Sequence, residues 1–120
     1  MKLRILTILL SLGVIIYSCK SKKGSAPAES LEPGDAALKA IQTKDAGVTA
    51  EVLKEGYAVY TGPCTRCHGK KNLYKRTDAE WQGDINRMSI RAKITDAQKD
   101  ALTKYVMAMR MAKANSSPSN

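Results

Sequence analysis

Cys64-Thr65-Arg66-Cys67-His68 constrains this chain more than any other stretch of it. Cysteines three positions apart lie on one turn of a helix, so both thiols leave the backbone on the same side. That separation suits the two vinyl groups on one edge of a haem, where each sulfur can close a thioether. The imidazole of His68 follows at once and is placed to ligate the iron from one side. C-x-x-C-H therefore reads as a c-type haem attachment site.

Three other readings use the same residues. A structural zinc site normally needs four thiolate or imidazole ligands, and beyond this motif the chain offers only Cys19. A thioredoxin-like redox pair follows a strand, and no alternating β-branched run precedes Cys64. Two buried free cysteines in a chance match is the third. With haem attachment taken as the reading, the stretch resembles the small class I-like monohaem cytochromes c. The resemblance implies an all-α, cytochrome c-like fold. Three main helices would surround one covalent haem c, and the N- and C-terminal helices would cross. Cys64 and Cys67 would carry the thioethers, and His68 would be the proximal iron ligand.

The amino end points to export. Lys2 and Arg4 precede an apolar run from Ile5 to Ile16, which is short for a transmembrane helix and suits a signal peptide. Tyr17-Ser18-Cys19 resembles the bacterial lipoprotein processing site. In that family cleavage falls before the cysteine and lipid is attached to it. Residues 1–18 are then a lipoprotein signal peptide, and Cys19 is the lipid attachment residue. Ordinary secretion and an uncleaved anchor are the alternatives. Two thiols for haem and one for lipid leave none for a disulfide. Haem attachment in the family occurs outside the cytoplasmic membrane, in agreement with export. The expected location is a bacterial membrane, with the haem domain in the periplasm or another extracytoplasmic space. The expected state is a monomer.

Charge is uneven. Between the signal and Cys64, six basic residues balance six acidic ones; from Cys64 onward there are twelve basic and five acidic. Arg66, Lys70, Lys71, Lys75 and Arg76 lie close to the motif. Such a surface would steer an acidic redox partner protein into contact. No nucleic-acid-binding motif accompanies the charge, so nucleic acid is not an expected partner.

Residues 19–47 read as a flexible tether carrying Gly24, Pro27 and the turn signal Glu32-Pro33-Gly34-Asp35. Within it, 35–42 could form a short helix of low apolar content. The cytochrome c domain is expected over 48–113. Its first helix starts at a Thr49 cap, with Val48 and Leu53 spaced as a hydrophobic staple, and stops at Gly62-Pro63. Gly56 inside that helix costs about 1 kcal/mol relative to alanine; close approach of another helix would justify it, with Tyr105 as the partner. A second helix is expected over 77–88, with Trp81, Ile85 and Met88 on one face. Trp81 would be buried against a haem face or a propionate. A Thr95–Gln98 capping box opens the last helix, which runs to about residue 113. Residues 114–120 are expected to be a disordered tail. A domain this short, without phenylalanine, needs added apolar mass.

His68 is the only histidine, so two histidines of one chain cannot ligate one iron. His/Met ligation suits electron transfer. Met88, Met107, Met109 and Met111 are the candidates. Trp81-x-x-x-Ile85-x-x-Met88 resembles the segment carrying the distal methionine in related cytochromes, which makes Met88 the expected distal ligand. The resulting expectation is a membrane-tethered electron carrier, not an enzyme. The alternative is a gas or redox sensor, or a weak peroxidase, with an open sixth iron position.

Overall fold

The computed structural model describes residues 30–67 and 69–117. Among them are four α-helices and one short 3₁₀ turn, with no strand: α1 Asp35–Gln42, α2 Ala50–Thr61, the turn Pro63–Thr65, α3 Asp78–Ala92 and α4 Asp96–Ser116. Helix α4 is the axis of the assembly. It packs most broadly against α2, next against α1 and least against α3, while the 3₁₀ turn joins α2 to α3.

Each of the three longer helices starts on a threonine. The Thr49, Thr77 and Thr95 side chains accept from the backbone N–H of Val52, Glu80 and Gln98. These bonds satisfy N–H groups that a helix start leaves unpaired. At Thr77 and Thr95 the third helical residue also reaches back to the cap backbone. The Glu80 carboxylate accepts from Thr77 N at 2.7 Å and from Thr77 Oγ1 at 2.9 Å. The backbone bond first, and the hydroxyl after it, hold the Glu80 pKa below its ordinary value. A depressed folded pKa contributes stability that is complete above the unfolded value and lost as pH falls through the folded one. Thermal melts at neutral pH and at about pH 3 should therefore show a smaller acid loss in Glu80→Gln than in the wild type, because glutamine keeps an acceptor and does not titrate.

The α2–α4 crossing is built on Gly56. A Cβ there would overlap the Ala101 carbonyl oxygen and stand 2.5 Å from Tyr105 Cβ. Glycine lets the two backbones meet, and Tyr105 fills the space beside them, fully buried. Its ring packs against Tyr60 and Tyr57, at centroid distances of 5.5 and 5.8 Å. Burial pushes its phenol well above the ordinary range, with Tyr60 adding to the effect. Val48 and Leu53, spaced as a staple around the Thr49 cap, are both buried.

Three segments differ from expectation. Over its described part, the segment expected as a tether is docked: Ala37, Ala40 and Ile41 form the buried face of α1, which packs on α4. The Tyr105 hydroxyl donates to the Leu31 carbonyl at 2.6 Å. The packed part thus reaches back at least to Leu31, rather than starting at 48. A face made largely of alanine carries little apolar signal but permits close helix packing. Helix α3 runs to Ala92 instead of stopping at Met88. It ends at Lys93, whose left-handed backbone (φ 53°) lets its N–H bond Ile90 O, while Ile94 N bonds Ser89 O. Residues 114–116, expected in the tail, continue α4. Residues 1–29, which hold the expected signal peptide and Cys19, and residues 118–120 lie outside the described residues.

Candidate cofactor site

The cysteine motif follows directly from the end of α2. Gly62 closes that helix, its N–H donating to Ala58 O, and Pro63 opens the 3₁₀ turn that carries Cys64. The Thr65 hydroxyl donates to Thr61 O at 2.8 Å, tying the turn back to α2. Cys64 is half-buried and Cys67 is exposed. Burial raises the Cys64 thiol pKa above its ordinary value. His68 lies outside the described residues.

Cys64 and Thr65 form one wall of a cavity of about 190 Å³. Trp81, Ile85, Met88 and Ser89 of α3 form another, and Tyr60 and Leu102 contribute from α2 and α4. The helical repeat puts Trp81, Ile85 and Met88 on this side of α3. Of the four candidate methionines, only Met88 lines the cavity. Met109 is buried in the core, and Met107 and Met111 pack against it half-buried. The structure thus brings Cys64 and Met88 to one space, with Cys67 following two residues beyond the Thr65 wall. It does not bring Met107, Met109 or Met111 there.

Trp81 is buried. Its Nε1–H donates to the Leu73 carbonyl at 3.0 Å, so protein backbone supplies its polar partner. The same carbonyl accepts from Arg110 Nη1 at 2.8 Å, and Arg110 Nε pairs with Asp78 at 2.6 Å. The Tyr60 hydroxyl donates to the Lys71 carbonyl. The basic loop after the motif is therefore pinned to α2, α3 and α4 through its carbonyls. Lys70, Lys71 and Lys75 of this loop are exposed.

One element of the site was not anticipated. Asp84, its side chain 17 % exposed, sits between Arg76, at 2.9 Å, and Arg87. All three line the cavity with Lys71, so its wall combines apolar and charged side chains. The Asp84–Arg87 spacing of three on a helix is legible from sequence; the Arg76 contact needs the loop path. Among the described residues, no three His, Cys, Asp or Glu side chains gather into a metal-binding cluster.

No family model matches the chain, and no curated protein or solved structure matches it either.

Proposed function

We propose that the chain is a monohaem c-type cytochrome that carries single electrons outside the cytoplasmic membrane, tethered there by lipid on Cys19. The observation that carries this reading is the shared cavity: Cys64 of the C-x-x-C-H motif and Met88, the expected distal ligand, line one space among apolar and charged side chains. That donor set fits a covalent iron porphyrin. Cys64 and Cys67 would hold it by thioethers, and His68 and Met88 would ligate its iron. The bound group supplies a one-electron couple between two iron valences.

The chain's own residues do the rest. Tyr60, Trp81, Ile85 and Leu102 of the lining would shield the bound group from water, which favours a closed electron-transfer site over an open catalytic one. Arg76 and Arg87, also in the lining, would offset part of the porphyrin's carboxylate charge. The cytochrome c-like fold proposed here has α2 and α4 as its crossing pair, with α1 as an additional helix packed on α4. Basic residues 66–76 give an acidic redox partner a surface to dock on.

A reduced-minus-oxidised visible spectrum with carbon monoxide tests the reading. Expected are a c-type haem spectrum, a weak band near the red end of the oxidised form from methionine–iron bonding, and slow carbon monoxide binding. A c-type spectrum without that band, with fast gas binding, would contradict the carrier and favour the sensor or peroxidase.

A further inference from the structure

The first packed residue among those described, Leu31, lies beside a strongly cationic loop. Leu31 is held by the Tyr105 hydroxyl and shares a crevice with Lys70, Asn72, Leu73 and Tyr74. From Gly62 to Thr77 there is no acidic residue, against five basic ones. Arg76 pairs with Asp84. Arg66, Lys70, Lys71 and Lys75 are exposed, and none of the ion pairs among the described residues involves them.

We propose that this loop is a second, electrostatic anchor that lays the folded part on an anionic lipid surface, with Lys70, Lys71 and Lys75 meeting phosphate headgroups. The proposal rests on the reading of Cys19 as the lipid-bearing residue. Residues 20–30 separate Cys19 from Leu31. Eleven residues span at most about 40 Å. A globular partner of ~100 residues is roughly 30 Å across and would take up most of that reach. Headgroups are therefore the negative charge this face meets first, and one lipid anchor with a polybasic patch is a pairing that holds a protein on a bilayer. An acidic redox partner then has to take these lysines from the lipid.

The test uses the acylated full chain in vesicles of phosphatidylglycerol or of phosphatidylcholine. Lysine acetylation by a water-soluble reagent is read residue by residue by mass spectrometry. Lys70, Lys71 and Lys75 should react several-fold more slowly on phosphatidylglycerol, and high salt should remove the difference. Lys54, exposed on α2, and Lys93, exposed just before α4, should react alike on both. Equal reactivity of the loop lysines on the two lipids would overturn the proposal, as would slowing spread evenly over all lysines. Protection found only on protein-containing source membranes, and lost after protease treatment, would also overturn it and assign the loop to an acidic protein. The same spectra report acyl mass on the Cys19 peptide: without it the anchor reading fails and takes the proposal with it, whereas acyl mass with equal reactivity sinks the proposal alone.

Discussion

Gly56→Ala should lower the stability of the folded chain by about 2 kcal/mol or more, the overpacking cost of a group driven into a filled contact. The Ala101 carbonyl oxygen and carbon and Tyr105 Cβ stand where the methyl would go, the latter two at 2.8 and 2.5 Å. Two of the three are backbone, so relief requires α2 and α4 to move apart. That movement would loosen the buried Tyr105, Val106 and Leu53 together. Alanine's better helix propensity, about 1 kcal/mol, offsets only part of the cost. In a domain of this size the net loss corresponds to a fall in Tm of roughly 10 °C or more. Gly83→Ala is the matched control. Nothing lies within 4 Å of its added methyl, so it should raise stability by about 0.5–1 kcal/mol. Chemical denaturation followed by circular dichroism reads both. Equal effects at the two glycines would refute the close crossing.

On the proposed haem reading, Met88→Ala should turn a closed site into an open one. Met88 is the one candidate methionine on the cavity wall, and it sits in the body of α3 rather than on a loose end. Removing its thioether leaves no sulfur in that wall except Cys64, which the motif commits elsewhere. The weak red band of the oxidised form should vanish, and carbon monoxide should bind the reduced form at least tenfold faster. The potential should fall, since methionine ligation is what raises it. Met109→Leu, in the core, should leave all three unchanged. If Met88→Ala behaves as wild type, another ligand holds the sixth position.

Where helices start was readable because threonine caps and capping boxes are local: Thr49, Thr77 and Thr95 all act as expected. The Gly56–Tyr105 contact was readable because a glycine inside an apolar helical face needs a physical reason. The docked α1 was not, since alanines bury small areas and score weakly in any apolar pattern. The extension of α3 past Met88 was missed for a similar reason: Ser89 is buried and bonds Asn86 O, and Ile90 is exposed, so the apolar periodicity fails where the helix continues. The Leu73 carbonyl, shared by Trp81 and Arg110, could not be foreseen, because a backbone acceptor has no sequence signature. At the candidate site, the placing of Trp81, Ile85 and Met88 on one side of α3 was legible from helical spacing; the Arg76–Asp84 pair depends on a loop path that spacing does not encode.

Intact mass tests most directly whether the cysteine motif is covalently bonded to one haem. Protein made in a host able to attach haem should weigh more than its polypeptide and any acyl groups by the mass of one haem. The increment should survive denaturation and acid extraction, and should disappear in the Cys64→Ser/Cys67→Ser double variant. A folded, colourless wild-type chain at the bare polypeptide mass, made in that same host, would contradict the account.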